Sequence, residues 1–421
     1  MSSDHKIAVD VAKTLIPALS IEARIFTDQS TAEFKELLIR WSDVDIQVPS
    51  AIFQPSCEED ISQIVNGAAK HNIPFIAKAG GHNLFHLRSI SIDISAQIAT
   101  IQAGVLTKPV NEAVTKAGFM IHSANAANVG HIGFLLGGGS SALMGMHGLA
   151  IDALISARVV TATGRVVTAS TTENEDLFWA LKGAGQYFGI VTEATVKIFP
   201  QTTEIISWAC IFAPPQIKRV ATAVKELVDG GDQKSLVVAM IAIPPGPPGQ
   251  TKPVIIVSIT HFGSEAEAGM TMKPLLAVNP IAEMKRQTAF SNLTDAADRI
   301  DKKGGFKLIV TCGLKGFDPE KFEKCLDAWT GLLNGHPEAA STFFMWPSAP
   351  DEESFKAALQ SSEDFVALCQ ADQEESDKAA FPSHSRMTSV EQRYRGEGRR
   401  QKLGGIKKTW DPEGRFTKEF L

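Results

Sequence analysis

The most chemically suggestive residues in this chain are two glycine clusters. Gly80-Gly81 runs directly into His82 and Asn83, and Gly137-Gly138-Gly139 follows the apolar run Phe134-Leu135-Leu136. Glycine lets backbone N–H groups approach a ligand closely and tolerates positive φ, so successive amides of such a loop can form a concave anion site. One cluster alone is usually a tight turn; two in one stretch of chain point toward a nucleotide. With Ser140-Ser141-Ala142 the second cluster also matches the GxGxxA dinucleotide fingerprint. That fingerprint needs an acidic residue about 20 positions further on, at the end of the next strand. The nearest acid, Asp152, is only 13 positions past Gly139, and Gly145 and Gly148 interrupt the helix that should follow. A nicotinamide site of the doubly wound type is therefore not expected. His82 and His86 sit four apart, but no glutamate lies between them as in HExxH, and no metal site is expected. No GxSxG elbow appears, and the carboxylates form no pair that stands out. Tyrosine occurs twice, at Tyr187 and Tyr394, which narrows the choice of a phenolic base.

The elements that must position these loops follow from apolar spacing. Ser56-Cys57-Glu58-Glu59 reads as a capping box with Ser56 as N-cap, followed by Ile61, Ile64, Val65 and Ala68 on one helix face. Ile73 to Lys78 reads as a strand feeding Gly80-Gly81. Ile98–Ala103 reads as a second strand and Lys108–Ala117 as a helix. Ser156–Thr161 and Arg165–Ala169 read as a hairpin turning at Gly164. Asp176 is placed as the cap of a short helix over Leu177–Leu181, and Gly189–Phe199 as a long strand closed by Pro200. Helices mixed with hairpins argue for an α+β fold. Pro244-Pro245-Gly246-Pro247-Pro248-Gly249 can be neither helix nor strand.

Composition sets outer bounds. The chain has 421 residues, 44% hydrophobic and 21% charged, with a net charge of −6. Those values exclude a mainly disordered chain and disfavour nucleic acid as partner. The series Arg393, Arg395, Arg399, Arg400 and Lys402 has only Tyr394 interleaved and reads as a solvated helix face. No run approaches the ~18 apolar residues that span a bilayer. Five cysteines without a CxxC pair suggest neither a disulfide framework nor a zinc ribbon, and a cytoplasmic setting is expected.

Residues 50–200 together resemble the FAD-binding domain of the vanillyl-alcohol oxidase/p-cresol methylhydroxylase (PCMH-type) superfamily, in its fungal berberine-bridge-like branch. The resemblance rests on an ordered series of strings. The first are Ala79-Gly80-Gly81-His82-Asn83, Ile92-Asp93-Ile94-Ser95 and Ile101-Gln102-Ala103-Gly104. Val129-Gly130, Leu136-Gly137-Gly138-Gly139 and Gly148-Leu149-Ala150-Ile151-Asp152 come next. Asp176–Gly185 and Phe188-Gly189-Ile190-Val191-Thr192 close it. Leu403, Lys407, Trp410-Asp411-Pro412 and Phe416 are similar to the family's closing segment. The resemblance implies a two-lobed FAD-binding domain over 1–204 with FAD between the lobes. It also implies a substrate-binding domain over 205–378, an antiparallel sheet backed by helices, and a segment over 379–421 that returns to the FAD domain.

By the same resemblance, Lys78, Ala79, Gly80, Gly81, His82 and Asn83 would hold the pyrophosphate region. Val129, Gly130, Gly137, Gly138 and Gly139 would line the flavin, and Asp152, Gly189, Ile190 and Val191 would lie along the cofactor. His82 is the candidate for covalent attachment to the flavin; Ala126 stands where some members have a second attaching cysteine. The stretch from His82 to Ile92 is shorter than in the family, and the Asn-Tyr pair that often supplies a catalytic tyrosine is absent. Tyr394 and His384 are the candidates for the catalytic base. The implied activity is hydride transfer from a small organic substrate, a secondary metabolite, to FAD, with dioxygen as the second partner. The alternatives are a redox-neutral flavin-dependent cyclase or isomerase, and a flavin-binding protein without turnover. Oligomeric state is not legible.

Overall fold

The structure is a computed structural model that describes residues 3–78, 87–243, 252–297, 302–341, 348–375, 378 and 389–421. Ala79, Gly80, Gly81, His82 and Asn83, the proline-glycine stretch at 244–249, and His384 lie outside the described residues.

The N-terminal lobe contains α1 (Ser3–Leu15), α2 (Ala32–Leu38) and α3 (Glu58–Lys70), with β1 (Arg24–Phe26) paired antiparallel to β2 (Ile52–Gln54). Its α3 is the helix read from the Ile61/Val65/Ala68 spacing, but its cap sits one residue later than expected. Cys57 is the N-cap, and Asp60 in place of Glu59 reaches back. The Asp60 carboxylate accepts the backbone N–H groups of Ser20 at 2.7 Å, Ser56 at 2.8 Å and Cys57 at 3.3 Å, and the Ser20 hydroxyl at 2.8 Å. Glu59 lies on the outer face and accepts from Gln63 at 2.8 Å. Residues 73–78 form no strand. A strand needs a ladder, and the β1–β2 pair does not extend to this segment among the described residues. Ile76 is 92% exposed there.

The second lobe is built on β3 (Ile90–Asp93), β4 (Ile98–Gln102), β5 (Phe119–Met120), β6 (Leu154–Val160), β7 (Val166–Ser170), β8 (Ile190–Lys197) and β9 (Phe199–Pro200). Between them run α4 (Thr107–Lys116), α5 (His131–Leu136), α6 (Met144–His147) and α7 (Glu175–Ala184). The main sheet has the order β3-β4-β8-β6-β7, with every neighbour antiparallel. The expected hairpin at Gly164 is the β6–β7 pair, and Gly164 takes φ +70°. Strand alternation gives the sheet two working faces. Val160 and Ile190 pack with Leu87 and with Ile61 and Val65 of α3. Val159 and Val191 point the other way into the large core shared with α4, α5 and α7. The cap of α7 is Asn174 rather than Asp176, which sits in the first turn and accepts from Trp410 Nε1 at 2.9 Å.

A second sheet follows, from β10 (Ile205–Phe212), β11 (Ser235–Ala242), β12 (Val254–Phe262) and β13 (Ala282–Gln287), in the order β11-β12-β10-β13 and antiparallel throughout. Trp208, Cys210, Phe212, Ile255, Val257 and Ile259 form its buried face under α8 (Ile217–Asp229), α9 (Glu265–Leu276) and α10 (Pro319–Gly335). The opposite face carries Ala209, Ile211, Val238, Met240, Ile256 and Ser258, all half-buried. Beyond it, β14 (Phe306–Lys307) pairs with β15 (Ser348–Ala349), and α11 (Glu352–Cys369) packs on α10. The fold is α+β.

The chain ends with α12 (Val390–Arg393) and α13 (Glu397–Trp410), which packs against α7. Leu403, Ile406 and Tyr394 join the core of the second lobe. Lys407 and Asp411 are fully buried and paired at 2.6 Å. Lys407 also donates to the Tyr187 carbonyl at 2.6 Å, while Asp411 accepts the N–H groups of Arg415 and Phe416 at 2.7 and 3.0 Å.

Candidate cofactor site

Three consecutive residues after β4 tie the candidate stretches together. The Ala103 N–H donates to the Thr192 carbonyl at 2.9 Å, and the Gly104 N–H donates to the Leu87 carbonyl at 2.9 Å. The Val105 carbonyl accepts the His131 N–H at 3.0 Å. Leu87 is the first described residue after the segment containing Gly80-Gly81. Thr192 adjoins Val191, and His131 follows Gly130. Stretches far apart in sequence therefore meet at Ala103–Val105. The Val129 carbonyl is held by both the N–H and the hydroxyl of Thr107, at 2.9 and 3.0 Å, which fixes where α5 begins.

Past α5 the chain reverses through Gly138 and Gly139, at φ +102° and +72°. Their carbonyls accept the N–H groups of Ile151 and Ala150 at 3.1 and 2.9 Å. A Cβ on Gly139 would fall 2.3 Å from the Ala150 Cβ and 3.0 Å from the Phe134 ring, so glycine is required here by internal packing. Gly189 is likewise pressed against Val159, 2.5 Å from where its Cβ would be. The exposed Asp152 carboxylate accepts the Leu149 N–H at 3.0 Å and caps the single turn at 150–153. Lys78 extends its amine to the Leu37 and Ile39 carbonyls, at 2.7 and 3.1 Å.

Three histidines that the sequence reading did not single out gather beside the glycine turn. His122, 2% exposed, bonds through Nδ1 to the Ser141 hydroxyl at 2.7 Å. His147 ends α6, is solvent-exposed, and stacks on Phe199 with ring centroids 3.8 Å apart. His122 meets both rings edge-on. His131 is 1% exposed at the start of α5. Burial pushes His122 down to about 4, with His147 adding to the fall and Asp152 opposing it. Burial, then His122, pushes His131 down to about 4. Both imidazoles are neutral at pH 7. Their irregular spacing left no periodic signal; the one available hint was a polar His131 heading the largely apolar run from Ile132 to Leu136.

On the other face of the sheet, a cavity of about 660 Å³ opens between the start of α3 and the strands, lined by Cys57, Glu58, Leu87, Gln102, Arg158 and Thr192. Arg158 grips Glu58 with Nε at 2.9 Å and an amino group at 2.5 Å, and the Thr192 hydroxyl donates to Glu58 at 2.5 Å. Arg158, foremost, holds the Glu58 carboxyl below the ordinary range. The network fastens α3 of one lobe to β6 and β8 of the other. Tyr394 lies elsewhere: its hydroxyl donates to the Gly183 carbonyl at 3.1 Å, its ring meets Tyr187 and Phe420, and burial raises its pKa.

A family model described as an FAD binding domain matches residues 49–170. An FAD-linked oxidoreductase of Aspergillus fumigatus, hasG, is 31% identical over 327 residues, covering 72% of this chain and 68% of that protein. Another from Neurospora crassa, srdI, is 36% identical over 362 residues, covering 77% of this chain and 70% of that protein. The chain belongs to the FAD-linked oxidoreductases. Among solved structures, Physcomitrella patens BBE-like 1 superposes with a TM-score of 0.82 at 16% identity, over 98% of this chain and 99% of that one. The xylooligosaccharide oxidase of Myceliophthora thermophila does so with a TM-score of 0.78 at 20% identity, over 98% of each chain. These two share the fold.

FAD is the cofactor of this oxidoreductase, and the described residues fit it. His122 Nε2, in the ring that bonds Ser141 two residues past Gly139, and His131 Nδ1, next to Gly130, are buried without a protein partner. Unspent polar atoms in a buried site are costly unless a ligand completes them. A flavin, whose rim carries hydrogen-bonding carbonyls and ring nitrogens, would do so.

Proposed function

We propose that this FAD-linked oxidoreductase is an oxidase of a small, largely apolar secondary metabolite. In this reading residues 1–204 and 379–421 hold the cofactor and 205–378 carry the substrate. Gly130, Gly137, Gly138, His122 and His131 would hold the flavin. Ile190, Val191, Gly80, Gly81 and Asn83 would hold the remainder, with His82 as its covalent anchor. The group held there would supply hydride-accepting chemistry toward a substrate carbon, and in this reading dioxygen would be the final electron acceptor, with hydrogen peroxide as its product.

The observation that supports the substrate class is the open face of the second sheet. Ala209, Ile211, Val238, Met240 and Ile256 give it an aliphatic centre, with Ser207, Ser258, Thr260 and Arg286 as polar points on the same face. A sugar would ask for many hydrogen-bonding partners, whereas an apolar ring system asks for contact area and a few polar fixtures. One edge of this sheet lies against α6, where a Cβ on Gly145 would come 2.3 Å from the Gln233 carbonyl. His147, at the end of that helix, is therefore at the border between the glycine turn and the substrate sheet. Desolvation lowers its pKa, so it is a neutral base at pH 7, able to take the proton from a substrate hydroxyl. Its stacking on Phe199 sets the plane of the ring. His384, outside the described residues, is the competing base; Tyr394, spent on the Gly183 carbonyl, serves here as a fastener of the C-terminal segment.

Anaerobic mixing with a panel of apolar alcohols, amines, polyketide aldehydes and xylo-oligosaccharides tests the reading. Bleaching of the flavin by an apolar alcohol or aldehyde is expected, with one peroxide formed per substrate in air. Bleaching by oligosaccharides alone, or conversion without oxygen uptake, overturns it. His147→Gln should lower kcat by about 10²–10⁴-fold with little change in KM, and unchanged kcat removes His147 as the base.

A further inference from the structure

Three of the five cysteines meet far from the cofactor site. Cys325 of α10 and Cys369, the last residue of α11, are buried together with Phe365, and Cys312 packs against them from the segment before α10. None of the three is in a disulfide. Cys369 is the central thiol, within hydrogen-bonding reach of both Cys312 and Cys325. Two side-chain amides hold the Cys312–Cys369 side of this arrangement in place. Gln370, next to Cys369, donates from Nε2 to the carbonyl of Gly313, next to Cys312, at 3.1 Å, and Gln373 donates to the same carbonyl at 3.3 Å. The Cys325 thiol is directed otherwise, donating to the Lys321 carbonyl within its own helix at 2.8 Å.

We propose that Cys312 and Cys369 are a peroxide-reactive dithiol, a modification site that closes to a disulfide across the base of α11. The oxidant is hydrogen peroxide. The Cys369 sulfur attacks one peroxide oxygen; an S–O bond forms, the O–O bond breaks, and the departing oxygen leaves as water with the thiol proton. The Cys312 sulfur then attacks the Cys369 sulfenic acid; the S–S bond forms, the S–O bond breaks, and a second water leaves with the Cys312 proton. Two thiols are oxidised by two electrons and one peroxide is reduced to two waters.

The surroundings suit Cys369 to the first step. Donation from Cys312, then the nearness of the Cys325 thiol, holds its thiol well below the ordinary range; burial and Asp318 oppose this, and Lys321 assists. Lys321 Nζ donates to the Cys369 carbonyl at 2.9 Å and to Asp372 at 2.5 Å, which keeps an ammonium at this helix end. The thiolate is the nucleophilic form of cysteine. Cys312, half-buried and outside any helix or strand, can turn toward Cys369 without moving a helix. Cys325 is fixed on α10, and its thiol is raised by Cys369 and by burial. Cys210, buried under the second sheet, is pushed up to about 11 by desolvation and serves as an unreactive internal reference.

The test treats the FAD-loaded full chain with reagent hydrogen peroxide, so its result is independent of whether the cofactor site makes peroxide. Remaining thiols are alkylated and the protein is digested without reductant. The expected result is a crosslinked Cys312–Cys369 peptide that dithiothreitol separates, with Cys57, Cys210 and Cys325 alkylated. In Cys312→Ser, dimedone should trap a sulfenic acid on Cys369. Full alkylation of all five cysteines after peroxide overturns the proposal. So does a crosslink that joins Cys369 mainly to Cys325, or a sulfinic acid on wild-type Cys369 without a crosslink.

Discussion

Replacing Lys407 by methionine probes the joint between the C-terminal segment and the cofactor lobe. Lys407 and Asp411 have fully buried side chains, so the pair gains nothing from water. The substitution keeps the apolar stem and removes an ammonium that serves Asp411 and the Tyr187 carbonyl, each at 2.6 Å. Asp411 is then a buried carboxylate left with the N–H groups of Arg415 and Phe416. Removing one partner of a buried pair costs about 3–5 kcal/mol. The two remaining donors place the cost near the lower end, about 3 kcal/mol, or roughly two decades in the opening equilibrium. Adding Asp411→Asn removes the stranded charge and should recover about 1–2 kcal/mol, because a neutral buried amide costs less than an unpaired ion. The assay is urea unfolding followed by tryptophan fluorescence, with trypsin cleavage after Arg399 and Arg400 reporting local release of α13. A Lys407→Met protein within about 0.5 kcal/mol of wild type, the spread of ordinary surface changes, would falsify the argument. So would a double variant no more stable than the single one.

Other outcomes follow from the same kind of reasoning. Asp60 is held at about 2 against an ordinary 3.8; burial opposes the fall, but the donors from Ser20 and Ser56 outweigh it. Because its folded value is depressed, its contribution is present above about pH 4 and is lost as pH falls toward 2. It should be about 1–2 kcal/mol after allowance for solvent screening. Asp60→Asn should flatten that part of the acid-unfolding curve, and an unchanged curve counts against the clamp. Gly139→Ala must hold φ near +72° and place a methyl on Ala150, so a loss of about 3 kcal/mol is expected; a thermal melt matching wild type contradicts it. Acid precipitation should leave flavin colour in the wild-type pellet and release it from His82→Ala. Colour already free in the wild-type supernatant rules out attachment through His82.

Much of the second lobe was legible from sequence because its signals are local. The β6–β7 hairpin follows from alternating apolar residues and Gly164, α4 from its periodicity, and β8 from the run after Gly189, although that run divides: β8 stops at Lys197, and Phe199 and Pro200 pair with β5 instead of only closing it. The failures were long-range in origin. At α3 two acidic neighbours compete to close the cap, and the position of Ser20, distant in sequence, favoured Asp60 over Glu59. At 73–78 the residues are strand-like, but a strand is made by its ladder, which single-chain propensity does not reveal. The histidines escaped notice because the segment after β5, α5 and α6 each bring one from a different part of the chain.

The sequence by itself determined which groups were available: glycine turns at Gly137–Gly139, an ordered set of strings shared with FAD-binding proteins, an α+β pattern, and a C-terminal series ending in Trp410-Asp411-Pro412. Those depend on residue type and near-neighbour spacing, which the chain carries in one dimension. Only the tertiary structure decided what each group spends itself on. Gly139 answers to Ala150 and Phe134, Tyr394 to Gly183, Lys407 to Tyr187 and Asp411, and Ala103–Val105 draws Leu87, His131 and Thr192 to one place. Burial made His122 and His131 neutral and left one nitrogen of each without a partner. Desolvation and long-range hydrogen bonding are properties of the packed chain, and no spacing rule along the sequence contains them.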